Sequence, residues 1–302
     1  MLVAEDLTKR FPGRSQPAID GVHLEVRDGE ILGLVGLNGA GKTTTIRLAA
    51  GVSLPTRGRV LVDGLDIVRE KRLASERLGW VPELFPFEPD ARALALMVYY
   101  AGLTGLTGPA ARSHCRELLA RVGLAPVEND RIRTFSQGMK KRFSLANAMI
   151  GDPPNLLLDE ILNGLDPEGI AYVRRWATDL RRQGKAVLLS SHLLIELQAM
   201  ADRVAFVHQG RILRTIDRAE LAAAGGTLLR ITVQNLDAAG VEYLSSVGAT
   251  RIEGTSVYVA QPRFDSATIN AELVRRGYRV IEMRVESTSL EAYFLELIGT
   301  AR

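Results

Sequence analysis

The run Gly36-Leu37-Asn38-Gly39-Ala40-Gly41-Lys42-Thr43-Thr44 sets closely spaced glycines beside one lysine and two hydroxyls. Glycines let successive backbone N–H groups turn into an anion-binding concavity, which the positive end of a following helix dipole reinforces. Lys42 is then spaced to reach β- and γ-phosphates, and the Thr43 hydroxyl to ligate Mg²⁺. Ile31-Leu32-Gly33-Leu34-Val35 reads as the buried strand before this loop, and Thr45-Ile46-Arg47-Leu48-Ala49-Ala50 as the helix after it. Strand, loop and helix together point to a bound nucleoside triphosphate.

Two further segments carry chemistry. Asn155-Leu156-Leu157-Leu158-Asp159-Glu160 is an apolar run ending in two acids. A strand end beside a phosphate loop is where an acid meets the metal, so Asp159 is expected to hold Mg²⁺ through water and Glu160 to polarise an attacking water. Upstream of that strand, Phe135-Ser136-Gln137-Gly138-Met139-Lys140-Lys141-Arg142 places a serine at a helix start. The Ser136 hydroxyl and the first helical N–H groups make a second anion site.

The elements that position these residues follow an α/β rhythm as far as about Leu221. Arg59–Val62, Leu156–Leu158, Ala186–Leu189 and Val204–Val207 are short, apolar and branched, as strands of a mostly parallel sheet covered by helices should be. Pro109 suits a first helical position and Gly123 a left-handed cap, bracketing a helix with Cys115 on its apolar face beside Leu118, Leu119 and Val122. That lone cysteine is expected to be buried filler. A joint is expected at Ala222-Ala223-Ala224-Gly225-Gly226, giving a nucleotide-binding domain over 1–224, with a helical subdomain over about 84–150, and an α+β domain over 225–302.

In the second domain the expected strands are Leu228–Val233, Thr250–Glu253, Ser256–Ala260 and Arg279–Val285, with helices Asp237–Val247 and Ser266–Arg276. That order resembles a ferredoxin-like split β-α-β unit. A last helix is read from Leu290, Tyr293, Phe294, Leu297 and Ile298 on one face, with Thr288 and Glu291 as a capping box and Gly299 as its stop.

A chain of 302 residues suggests two domains, and 46% hydrophobic with 24% charged residues is a globular balance. Net charge is +3, with basic residues scattered, so no nucleic-acid partner is expected. No apolar run approaches bilayer length and the amino end lacks a secretory pattern, so a cytoplasmic protein without a membrane span is expected.

The Ser136-x-Gly138 core, lying between the phosphate loop and the acidic strand, resembles the signature of the ATP-binding cassette family, with Phe135 and Gln137 as variants. The resemblance covers nearly all of the first domain. It implies that Phe11 stacks on adenine, that Gly164-Leu165-Asp166-Pro167 crosses to an opposite subunit, and that His192, after Ser190-Ser191, contacts the γ-phosphate and orients the water with Glu160. It further implies a head-to-tail dimer of cassettes, each ATP lying between the phosphate loop of one and Ser136, Gln137 and Gly138 of the other. Asp166 would join that interface.

Two positions depart from the family pattern. Glu83, in Trp80-Val81-Pro82-Glu83, replaces the usual glutamine that senses Mg²⁺, and Ile161-Leu162 replaces the usual Pro-Thr after the acids. Gly138–Arg142, Asn163–Pro167 and Ser289–Leu297 are most similar to cassettes of type-2 exporters, which serve separately encoded transmembrane permease subunits. That similarity implies a peripheral place on the inner face of the membrane. Leu84-Phe85-Pro86-Phe87, with the helix around Leu94, Met97, Val98 and Tyr99, is the expected docking place for the permease. The rival readings are a soluble cassette acting on DNA or ribosomes, and a regulatory ATPase whose second domain senses a ligand.

Overall fold

The computed structural model describes residues 1–84, 87–220, 227–254, 256–260, 262–287, 293, 294, 297 and 298. They fall into two compact units, Met1–Arg218 and Ala219–Arg302. The division lies ahead of the alanine–glycine joint, whose residues are outside the described ones.

The first unit begins with β1 (Leu2–Lys9), β2 (Ile19–Val26), β3 (Ile31–Val35), α1 (Lys42–Ala49), β4 (Arg57–Val62) and β5 (Leu65–Asp66). Next come α2 (Lys71–Glu76), β6 (Leu78–Val81), α3 (Ala93–Leu103), α4 (Gly108–Arg121) and α5 (Gln137–Ala148). The series ends with β7 (Asn155–Asp159), α6 (Pro167–Arg182), β8 (Ala186–Ser191), α7 (Leu194–Met200), β9 (Arg203–His208) and β10 (Arg211–Asp217).

Among the described residues, six strands form one sheet in the order β10-β9-β3-β8-β7-β6, parallel throughout except where β10 lies antiparallel on β9. Every residue of β3, β7 and β8 is buried, so these strands carry leucine and valine without polar alternation. β4 differs from expectation. It belongs to a separate antiparallel sheet, β2-β1-β4-β5, and its burial alternates: Val60 and Val62 point inward while Arg57 and Arg59 face solvent. One core joins the two sheets, with Ile46 and Leu48 of α1 packed among Leu7, Ile19, Leu34, Val60, Val62, Leu188 and Val207. This packing fixes the helix that follows the phosphate loop.

Pro109 lies in the first turn of α4, Gly123 beyond its end has φ 71°, and Cys115 is fully buried. Phe143 of α5 is fully buried and meets the ring of Phe87 edge-on at 4.9 Å. Leu94 and Met97 of α3 are core residues as well.

The second unit contains β11 (Thr227–Gln234), β12 (Ala249–Glu253), β13 (Ser256–Ala260) and β14 (Arg279–Ser287), with helices Ala238–Val247 and Ser266–Arg275. Its strands are antiparallel in the order β12-β13-β11-β14, the ferredoxin-like arrangement. Asp237 and Asp265 cap the two helices by accepting from Gly240 N and Thr268 N. Leu229, Ile231 and Val233 pack with Leu244, Ile269 and Leu273 as this unit's core. Tyr293, Phe294, Leu297 and Ile298 are helical, with Phe294 and Ile298 buried; Thr288, Leu290, Glu291 and Gly299 lie outside the described residues.

Candidate active site

Two glycines of the phosphate loop are required by their surroundings. A Cβ on Gly36 would stand 2.4 Å from the Val207 carbonyl oxygen, and Gly41 has φ 112° with the Ala18 carbonyl oxygen 2.8 Å from where its Cβ would be. Gly39 is also left-handed, at φ 80°. No side chain caps the amino end of α1, which leaves its first N–H groups for an anion.

The loop faces a cleft of about 1100 Å³ lined by Phe11, Asn38, Gly39, Ala40, Gly41, Lys42, Thr43, Thr44, Glu83, Glu160 and His192. Lys42 Nζ donates to the Gly36 carbonyl at 2.8 Å and pairs with Glu160 Oε1 at 3.0 Å, both side chains being buried. On its other oxygen, Oε2, Glu160 lies 3.2 Å from His192 Nδ1. Thr43 Oγ1 donates to Asp159 Oδ1 at 3.2 Å. Burial pushes the Asp159 carboxyl above the usual carboxylate range; the Ser190 and Thr43 hydroxyls oppose this, and the charges of Glu83 and Glu160 add to it. Phe11 is 38% exposed, and Lys9 Nζ lies 5.1 Å from its ring centroid.

Ser136, Gln137, Gly138 and Asp166 are not brought into this cleft. They line a second cavity, of about 410 Å³, between the start of α5 and the start of α6. Ser136 Oγ accepts from Met139 N at 3.2 Å, and Asp166 Oδ1 accepts from Gly169 N at 2.8 Å. Each residue thus caps its helix.

Three neighbours of the acids stand within quoted motifs but carry no assigned role from the sequence. Ser190 Oγ, at the end of β8, is hydrogen-bonded to both Asp159 and Glu160. Lys141, a buried lysine of α5, donates to the Ile161 carbonyl at 2.8 Å and to the Asn163 carbonyl. Asn163 lines the cleft and has a buried side-chain oxygen without a hydrogen-bond partner. The one signal available for Lys141 is its helical spacing to Leu145 and Ala148, which places it on the buried face of α5. The replacements Ile161 and Leu162 are fully buried beneath the turn, in which Asn163 N donates to the Glu160 carbonyl at 3.1 Å.

A model of the ABC transporter family matches residues 19–163. Over the whole chain and 97% of the relative, the sequence is 33% identical to an uncharacterized ABC transporter ATP-binding protein, YhcH, of Bacillus subtilis. This chain belongs to the ABC transporter family. It is an ATP-binding and ATP-hydrolysing subunit of an ABC transporter, which decides against the DNA- or ribosome-acting alternative. A second relative, the bacitracin transport ATP-binding protein BcrA of Bacillus licheniformis, is 30% identical over 97% of this chain and 96% of its own length. The fold also matches a solved dimeric structure of the ATP-binding cassette MJ0796 in a post-hydrolysis state with ADP and Pi, at TM-score 0.66 and 21% identity over 72% of this chain and 99% of that one. Among the described residues, no helix of this ABC subunit is long and apolar enough to cross a membrane.

Proposed function

We propose that this subunit drives export through a separately encoded permease, working as one of two cassettes that clasp ATP between them. The observation that carries this reading is the division of the site. The phosphate loop, Lys42, Glu160 and His192 share one cleft, whereas Ser136, Gln137, Gly138 and Asp166 line a different one. A second cassette can complete each half, and the dimeric cassette matched above and the transport protein BcrA support that reading.

Phe11 would stack on adenine, while Gly36, Asn38, Gly39, Ala40, Gly41 and Thr44 wrap the phosphates with backbone N–H groups and hydroxyl. Lys42 would exchange Glu160 for the terminal phosphates. Thr43, Asp159 and Glu83 offer only oxygen donors, the set that Mg²⁺ prefers, and Thr43 and Asp159 are already in contact. Bound Mg²⁺ would neutralise charge building on the phosphates. Glu160, released from Lys42 and steadied by His192, would accept the proton of the attacking water. Hydrolysis would then remove the contacts that closed the dimer.

The permease would hold the subunit at the cytoplasmic face of the membrane. Leu84, Tyr99 and Leu103 are 80%, 63% and 70% exposed and suit that docking. Phe87, Leu94 and Met97 do not serve as a docking face, because Phe87 packs on Phe143 and the other two are core; Phe85 and Pro86 lie outside the described residues.

The test is Glu160→Gln with ATP and Mg²⁺, followed by light scattering. A stable dimer without turnover is expected, and addition of Ser136→Arg should abolish it. Normal hydrolysis by Glu160→Gln, or a dimer indifferent to Ser136→Arg, would refute the assignment.

A further inference from the structure

Ser190 lies directly across from Asp159 in the parallel pairing of β7 with β8, and it has no exposed surface. Its hydrogen bonds have a forced polarity. Glu160 N–H can only donate, and it does so to Ser190 Oγ at 2.9 Å. The one hydroxyl hydrogen of Ser190 is therefore left for Asp159 Oδ1, 2.8 Å away. That carboxylate oxygen also receives the Thr43 hydroxyl.

One hydroxyl thus grips two adjacent acids in different ways, Asp159 by its carboxylate and Glu160 by its backbone. The grip on Glu160 has a particular consequence, because this residue is left-handed at φ 48°, a conformation disfavoured for a side chain with a Cβ. Such a backbone persists only where its surroundings hold it. From this left-handed position the Glu160 side chain meets Lys42 and His192.

We propose that Ser190 is a positioning residue for ATP hydrolysis, its hydroxyl turning Asp159 toward Thr43 while fixing Glu160 in the backbone conformation that faces Lys42 and His192. The inference rests on the hydrolytic roles proposed for Asp159 and Glu160. Without the hydroxyl, a buried N–H loses its acceptor and Asp159 loses one of two donors. The turn relaxes, and the Glu160 carboxylate no longer meets a water in line with the terminal phosphate.

The test compares Ser190→Ala, Ser190→Thr and Glu160→Gln in the full chain. Steady-state ATP hydrolysis, fluorescent-nucleotide affinity, the Mg²⁺ concentration for half-maximal rate and melting temperature are measured for each. Ser190→Ala is expected to lower kcat about tenfold or more, to leave nucleotide affinity within about threefold, and to raise the half-maximal Mg²⁺ several-fold. Ser190→Thr, which keeps the hydroxyl, restores kcat to within about threefold of the parent. Where alanine does not fold, Ser190→Cys takes its place with the same expectation, the thiol being a weak donor and acceptor. A normal kcat for Ser190→Ala beside an inactive Glu160→Gln overturns the role of Ser190 alone. A threonine variant as slow as alanine at unchanged melting temperature overturns it too. Turnover by Glu160→Gln overturns the assignment of the base, and this inference with it.

Discussion

Lys42 and Glu160 are paired with each other at 3.0 Å, side chains 5% and 6% exposed, so the group proposed for the phosphates and the group proposed for the water are each other's buried counter-charge. A buried charge left without its partner is costly, so the loss of either member should be felt in stability.

Glu160→Gln should therefore destabilise the nucleotide-free chain. Removing one partner of a buried pair costs about 3–5 kcal/mol, and the retained amide oxygen of glutamine places the loss toward the lower end. Nucleotide supplies the missing negative charge to Lys42, so the gain in melting temperature on adding ATP should be larger in the variant than in the parent. Thermal melts with and without ATP check this, and equal shifts in both proteins would contradict it.

Glu83→Gln removes a negative charge from the lining of the cleft that holds Thr43. The charge of Glu83 helps burial hold the Asp159 carboxyl high, so glutamine should bring it down. The acidic limb of the rate profile should then move to lower pH. With one carboxylate fewer, half-maximal activity should need several-fold more Mg²⁺, while kcat at saturating metal stays within about threefold. A pH–rate series at two metal concentrations measures both effects, and unchanged metal dependence would rule out Glu83 as a metal contact.

The parts of this site that were legible in the sequence are those whose geometry is local. Gly36 to Thr44 fold as a unit because strand, loop and helix are contiguous, and the acids follow a strand that is visibly apolar. Contacts made by strand pairing are different, since nothing near Ser190 in the chain announces that register puts it beside Asp159. The same holds for Arg59–Val62, whose apolar half suggests the parallel sheet while β1, one of its two partners, lies at the start of the chain. Phe87 reads from its neighbours as a surface aromatic, and it is Phe143, far along the sequence, that packs against its ring.

Lys141 ties the helix capped by Ser136 to the turn that follows Glu160, through the carbonyls of Ile161 and Asn163. Burial pushes its ammonium pKa down, opposed by the charges of Glu160 and Glu83. In Lys141→Met both carbonyls lose a donor inside the protein, at about 1–3 kcal/mol each. Stability should fall, and kcat should fall about tenfold with nucleotide affinity nearly unchanged, because the turn carries the base and not the phosphate loop. Denaturant unfolding and hydrolysis assays test the two consequences separately. A variant that loses stability but keeps its kcat would make Lys141 a packing residue only.

The second unit offers a pH dependence of its own. Glu272 accepts from Arg275 through both oxygens, at 2.7 and 2.8 Å, and from Arg276 Nε at 2.6 Å, while the Arg276 guanidinium lies 4.4 Å from the Tyr243 ring centroid. Arg275 first, and Arg276 after it, lower the Glu272 carboxyl from an ordinary 4.5 to about 2. A carboxylate lowered in the folded state binds its proton less readily than in the unfolded chain, so its contribution is complete above 4.5 and disappears as pH falls toward about 2. Carbon-detected NMR of the full chain should show Glu272 titrating near the lower value, and Arg275→Ala with Arg276→Met should return it toward the ordinary one. Glu272→Gln should remove that part of the acid sensitivity of the second unit. If the carboxyl titrates at its ordinary value with both arginines present, the bidentate contact does not persist in solution, as exposed arginine pairs in water often do not.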